Sequence, residues 1–105
     1  MENDHIHDVF AALGPVTVKR MFGGKGIYHR GVIVAIEQDG EVLLKADTQS
    51  APDFAAAGAR QWSYMAKNKP VYLPYWTIPD AALDDPDELA VWTRKAFEAA
   101  VRSGK

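Results

Sequence analysis

The sequence predicts an α+β fold, a two-layer sandwich in which helices pack on one antiparallel sheet. Three observations predict it. Helical periodicity marks both ends of the chain and a short central stretch, whereas the segments between alternate apolar and polar residues with the period of a strand. The pair Asp39-Gly40 sits between two such alternating segments, which is a strong hairpin signal. Strand and helix do not alternate along the chain, which argues against a parallel nucleotide-binding sheet.

The elements follow in the order α-β(3-4)-α-β(2)-α. Ile6, Val9, Phe10 and Leu13 follow the i, i+3, i+4, i+7 spacing of a helix with one buried stripe, with Asn3 or Asp4 as cap and Gly14-Pro15 as stop. Val16 to Phe22, Ile27 to His29, Val32 to Gln38 and Glu41 to Ala46 read as strands, with turns at His29-Arg30-Gly31 and Asp39-Gly40. Ser50 as cap, Pro52 at the first helical position and Gly58 past the end frame a short helix with Phe54 inward. Its alanines let it sit close to the sheet. Trp62 to Ala66 and Val71 to Tyr75 form a second hairpin around Lys67-Asn68-Lys69, and Pro70 and Pro74 place its second strand at an edge. Asp85, Pro86, Asp87 and Glu88 open a final helix, Arg94 and Lys95 lie midway, and Leu89, Trp92, Ala96 and Ala99 or Ala100 form its stripe.

Composition narrows the function classes. A chain of 105 residues, 48% apolar and 25% charged, is read as a single domain spanning 1–105 that buries roughly 60 to 70% of its unfolded surface. No apolar stretch approaches the ~20 residues that span a bilayer, and Met1-Glu2-Asn3-Asp4 lacks the basic start of a secretion signal, so the cytoplasm is the expected compartment and no membrane is expected. Without cysteine there is no disulfide, no thiolate metal site and no cysteine nucleophile. A net charge of −2 argues against affinity drawn mainly from counterion release. The charges are nevertheless segregated: residues 16–31 and 60–76 are basic without an acid, while Asp80, Asp84, Asp85, Asp87 and Glu88 stand together.

Packing and capping account for most of the candidate sites. Gly23-Gly24-Lys25-Gly26 has the amide-rich look of a phosphate cradle, but a P-loop needs Lys followed by Ser or Thr at a helix start, and these glycines lie between strands. They suit a bulge, a bend or a close approach of backbones. His5 and His7 would point about 200° apart on a helix, Asp4 and Asp8 share a face near an amino terminus, and His29 stands in a turn, so no metal or other cofactor is expected. The acids at 84–88 suit capping and the helix dipole. Ser50, Ser63 and Ser103 lie in no nucleophile elbow, so no catalytic residue is assigned and an enzyme is not expected.

Three binding surfaces remain. Lys19, Arg20, Lys25, Arg30, Lys67 and Lys69 interleave with aromatics and are candidate nucleic-acid contacts if they share one continuous face. Tyr72, Tyr75 and Trp76 around Pro74 offer an apolar edge for a protein partner. Met21, Phe22, Trp62 and Trp76 would line a small-ligand pocket if they converge between sheet and helices.

The run Arg20, Met21, Phe22, Gly23, Gly24, Lys25, Gly26, then Ile27-Tyr28, then Leu43-Leu44-Lys45-Ala46-Asp47, and finally Tyr75-Trp76 before Ile78-Pro79 resembles the TfoX/Sxy N-terminal domain family. Several separated motifs in order are more specific than one glycine cluster. The resemblance implies a fold similar to type III secretion chaperones. It also implies a stand-alone amino-terminal domain of a regulator of competence genes, acting with the cyclic-AMP receptor protein at promoters. It supplies no active site. The expectation is therefore a non-enzymatic cytoplasmic adaptor or transcription co-regulator that binds protein, the transcription machinery or the cyclic-AMP receptor protein among the partners, with a homodimer as a further expectation. Direct nucleic-acid binding and a small-ligand domain are the alternatives.

Overall fold

Three tight turns organise the sheet. Arg30-Gly31, Asp39-Gly40 and Lys67-Asn68 have positive φ at both positions, 54° and 85°, 54° and 83°, and 53° and 68°. This is the type I′ pattern, whose twist matches the strands it joins. The computed structural model describes residues 2–21 and 24–104, so the Phe22 and Gly23 of the motif lie outside the described residues, as do the side chains of Asn3 and Asp4, the expected caps. The elements are α1 (Glu2–Val9), β1 (Thr17–Met21), β2 (Gly24–His29), β3 (Val32–Gln38), β4 (Glu41–Lys45), α2 (Ala51–Ala56), β5 (Gln61–Ala66), β6 (Lys69–Thr77), α3 (Asp80–Leu83) and α4 (Pro86–Gly104). All strand pairs are antiparallel, in one open six-stranded sheet of order β1-β2-β3-β4-β6-β5. The fold is α+β, as expected.

The register decides which side chains meet the helices. Val18 opposes Ile27, Ile27 opposes Ala35, Ala35 opposes Leu44 and Leu44 opposes Trp76, giving one row across five strands on one face. A bulge adds Val34 beside Ala35 on that row. These residues join Ile6, Val9 and Phe10 of the amino-terminal segment, Phe54 of α2, and Trp92, Ala96 and Ala100 of α4 in one buried cluster. The alanines of α4 carry no bulk beyond Cβ, so the helix lies close over β3 and β4. Phe54 is fully buried, with its ring 4.8 Å from that of Trp92 and 6.1 Å from that of Trp76. One ring thus joins α2, the sheet and α4.

Several boundaries differ from expectation, each for a local reason. Helical structure in α1 ends at Val9 rather than Leu13, because Ala11 and Leu13 donate to the carbonyls of Asp8 and Phe10 three residues back and tighten the chain before Gly14 turns at φ 121°. The glycines at 24 and 26 lie inside β2, not in a bend. α3 is an additional short helix. β6 is not an edge strand: residues 75–77 pair with β4 and most of its length pairs with β5. Its prolines are tolerated because Pro74 falls in the irregular stretch between the Gln61–Trp76 and Ser63–Tyr72 pairs, and Pro70 lies beyond the reach of β4.

Truncating the joint should be costly. Phe54→Ala is expected to lower stability by about 3 to 5 kcal/mol, the range for large buried aromatics, read as a shift in urea midpoint with unchanged m-value.

Candidate protein-interaction face

Among the described residues the helices cluster on one face of the sheet and leave the other without such a cluster. Side chains alternate along a strand, so Lys19 and Met21 of β1, Gly24, Gly26 and Tyr28 of β2, Ile33 and Ile36 of β3, Leu43 and Lys45 of β4, and Tyr75 of β6 fall on this second face. Ile36 and Leu43 sink between their neighbours and are buried, yet they stand apart from the cluster that the helices close over. Tyr28, Ile33, Lys45 and Tyr75 are half-buried, and Met21 is 43% exposed. Lys19 Nζ lies 5.0 Å from the Tyr28 ring centre, and Lys45 Nζ lies 5.3 Å from that of Tyr75. Each ammonium rests on a ring quadrupole, a contact that holds ring and lysine in place without removing either from solvent. Burial, and next the proximity of Tyr28, push the Tyr75 phenol above its ordinary value, so it stays a neutral donor.

The glycines explain how this face packs. A Cβ on Gly24 would overlap the main-chain oxygen of Glu37 on β3, and one on Gly26 would come within 2.6 Å of Met21 Sδ and 3.1 Å of Tyr28 Cε1. Gly24 permits a close approach of two backbones. Gly26 leaves the room into which Met21 and Tyr28 lean. This is the close-approach role among those read from the sequence, and no helix follows the glycines to make a phosphate site.

Other motif residues hold the frame. Asp47 Oδ1 accepts from the amides of Ser50 (2.9 Å) and Gln49 (3.1 Å), while Ser50 Oγ accepts from the Asp47 amide at 3.1 Å. This reciprocal pair closes the turn that leads into α2 in the manner of a capping box. Ser50 holds the N-cap position expected of it, but its side chain caps no helical amide and bonds back to Asp47 instead. Arg102 of α4 grips the same carboxylate with two contacts, Nε to Oδ2 at 2.6 Å and Nη2 to Oδ1 at 3.1 Å. The Arg102 guanidinium holds the Asp47 carboxyl far below the usual carboxylate range, against the opposing effect of burial and with help from the bonds of Ser50. Trp76 belongs to the helix side, against Phe54, so Tyr72, Tyr75 and Trp76 do not form one apolar edge: Tyr75 faces the second face and Tyr72 is 61% exposed on the β5–β6 arm.

The basic residues do not come together. Lys19 and Arg20 are adjacent on a strand and point to opposite faces, and Arg20 opposes Lys25. Lys67 and Lys69 sit at the tip of the β5–β6 hairpin, on the other edge of the sheet. Five strand spacings, about 24 Å at ~4.8 Å each, separate β1 from β5. The β1–β2 tip and the β5–β6 tip also lie at opposite ends of the strands, because β4 runs from Glu41 beside the first towards Lys45, where the arm begins. Arg30 is in a third turn. One continuous nucleic-acid face is not built from these residues.

The proposed ligand pocket is not built either. Met21 is on β1 and Trp62 on β5, at opposite edges, and Trp76 lines a separate open hollow with Lys45, Asp47 and Arg102. Among the described residues no three His, Asp or Glu converge as a metal site. His29 is buried, with Nδ1 2.7 Å from the Pro15 carbonyl and its ring edge-on to Phe97 at 5.0 Å, which fastens the α1–β1 connection to the core. Asp85 Oδ1 accepts from the Asp87 amide at 3.0 Å, the capping role expected of it. Among the described residues no helix is long and apolar enough to cross a membrane. Sequence reasoning missed the pairing of Lys19 with Tyr28 and Lys45 with Tyr75, whose only sequence signal was strand parity.

A family model described as the TfoX N-terminal domain matches residues 8–100. No curated protein matches the chain.

Two outcomes follow from the packing of this face and its frame. Gly24→Ala should cost about 2 kcal/mol or more, because a backbone must move, whereas Gly26→Ala should cost less and recover in the Met21→Ala background, as read by thermal and urea unfolding. Asp47 has a lowered folded-state pKa, so its contribution is present above the unfolded value of about 3.9 and is lost as pH falls through the folded value. Wild-type stability should therefore drop more steeply than that of Asp47→Asn as the pH is lowered below about 4.

Proposed function

The chain belongs to the TfoX N-terminal domain family, and we propose that it is a non-enzymatic cytoplasmic regulatory module that binds a protein through the helix-free face of its sheet. The observation that carries this reading is convergence. Motif residues far apart in sequence, Met21, Gly26, Tyr28, Lys45 and Tyr75, arrive from four strands on one face where the rings stay half in solvent. Core packing alone gives no reason for rings and lysines to be paired on an uncovered surface. Rigid aromatics with few rotatable bonds, flanked by cations, are the groups enriched where one protein recognises another.

The partner on this reading is a component of the transcription apparatus, the cyclic-AMP receptor protein first among them, and the output is control of competence-type genes. The two lysines favour a partner surface that offers carboxylates around an apolar centre.

Binding to the purified cyclic-AMP receptor protein, followed by calorimetry, tests this directly. Lys19→Glu with Lys45→Glu should weaken it at least tenfold, while Lys25→Glu leaves it within twofold. Absence of binding by the wild type, or equal binding by the double variant, would overturn the reading.

A further inference from the structure

A hollow on the helix side gathers charged groups that the rest of the fold does not use. It lies between one flank of α4 and the β2–β3 turn, has a volume of about 380 Å³, and is lined by His29, Arg30, Arg94, Phe97 and Glu98, with Leu13 from the α1–β1 connection. Arg94, Phe97 and Glu98 stand at i, i+3 and i+4 on α4 and so share its flank. The His29 ring meets Phe97 edge-on, which sets it on the helix side of the sheet.

The nitrogens here are left without partners. The guanidinium groups of Arg30 and Arg94 make no ion pair or hydrogen bond among the described residues. His29 is only 6% exposed, and its Nδ1 lies 2.7 Å from the Pro15 carbonyl oxygen, which can only accept. Nδ1 therefore carries a hydrogen, and Nε2 is the nitrogen left over. No second bond to the ring is made among the described residues, yet no fully buried side-chain nitrogen among them goes unsatisfied. Nε2 accordingly keeps an opening, and the hollow that His29 lines is what it opens on. An imidazole anchored through one nitrogen and bare at the other is oriented to meet a ligand.

Charge and the placement of donors identify that ligand. Two guanidinium groups against the one carboxylate of Glu98 leave the hollow net positive. The donors arrive from three places: His29 at the end of β2, Arg30 in the turn after it, and Arg94 on α4. A carboxylate offers two oxygens to them, whereas a phosphate monoester offers three around one atom and suits the guanidinium fork. Nε2 fits either protonation state of that group, accepting from a phosphate hydroxyl or, as imidazolium, donating to a bare oxygen. Leu13 and Phe97 give the hollow an apolar wall.

We propose that this hollow binds the phosphate monoester of a small molecule, with Arg30, Arg94 and His29 Nε2 on the phosphoryl oxygens and Leu13 and Phe97 against the organic group. The site goes beyond the partner reading above and does not depend on it, because Lys19 and Lys45 lie on the opposite face of the sheet.

Titration of the intact chain with phenyl phosphate, followed by calorimetry and by NMR of the histidine and arginine side-chain nitrogens, tests the site. Binding should saturate with a dissociation constant of about 1 mM or below and move the His29 Nε2 and Arg94 signals. Arg30, Arg94 and Glu98 are exposed, so their variants keep the fold. Arg30→Gln and Arg94→Gln should each weaken binding at least fivefold, and Glu98→Gln should tighten it at least twofold. Lys67→Gln with Lys69→Gln, which lowers the charge of the chain elsewhere, should leave it within twofold. Benzoate, with two oxygens, should bind at least fivefold more weakly, and inorganic phosphate, without the ring, at least threefold more weakly. No sign of saturation at about 10 mM phenyl phosphate overturns the proposal, as does unchanged binding by the two arginine variants. A loss in the Lys67 and Lys69 variant as large as theirs would reduce the effect to net charge and overturn it too. Equal affinity for benzoate or for inorganic phosphate overturns the assignment to a monoester. A DNA duplex that binds more tightly than phenyl phosphate, and is weakened by the arginine variants, would give these residues to a nucleic-acid backbone instead.

Discussion

The ring of Phe54 is the constraint on which the arrangement turns. It comes from a helix of only six residues, too short to be stable on its own, and contacts Trp76 from the sheet and Trp92 from α4. That contact draws α2 and α4 onto the same side of the sheet. Lys95 of α4 bonds Asp53 beside it at 3.1 Å, and Arg102 grips Asp47 just ahead of α2. Exposed pairs of this kind add little energy individually. Their place in the structure is to fix the angle at which α4 leaves the aromatic joint. With all four helices committed to one buried cluster, no helix among the described residues is left to cover the other face.

A one-sided sheet has consequences for recognition. Its open face is not a leftover of polar side chains, as an ordinary solvated sheet face would be. It holds Ile33, Ile36, Leu43 and two tyrosines, with lysines laid over the rings. Gly24 and Gly26 bring β2 close to β3 and let Met21 and Tyr28 close down, so the surface is packed before anything binds it. Preorganisation of that kind lowers the ordering cost of association. The β5 edge, the last strand on the far side of the sheet, carries neither charge nor proline. Face and edge are neighbours through β6, whose Tyr75 lies on the first and whose Tyr72 lies behind the second.

Much of this was legible in the sequence, and the failures have physical causes. Asp39-Gly40 announced its hairpin, and Asp85-Pro86 announced the start of α4, because turn and cap chemistry act over four residues. Pro70 and Pro74 misdirected the placement of β6, since proline excludes one hydrogen bond and not a whole strand. The neighbours of Pro74 yield to an irregular stretch that no local pattern signals. Ser50 sits at the cap position that its place before Pro52 signals, whereas the turn before it is closed by Asp47, whose carboxylate is also held by Arg102, a partner too distant in sequence to be read locally. Strand parity placed Tyr28 and Tyr75 on definite faces only once the order of strands was known. The scatter of the lysines likewise depends on strand order, which joins β4 to β6 and sends β5 to the rim.

The most direct measurement of the account is the broadening of side-chain NMR signals by a soluble paramagnetic chelate, which reaches groups open to solvent and spares those beneath helices. The Met21, Tyr28, Ile33 and Tyr75 signals should broaden, while those of Ile27, Val34, Leu44 and Phe54, opposite them through the same sheet, should not. Equal protection of the two sets would mean that both faces are covered, and would contradict the one-sided sheet on which the whole reading stands.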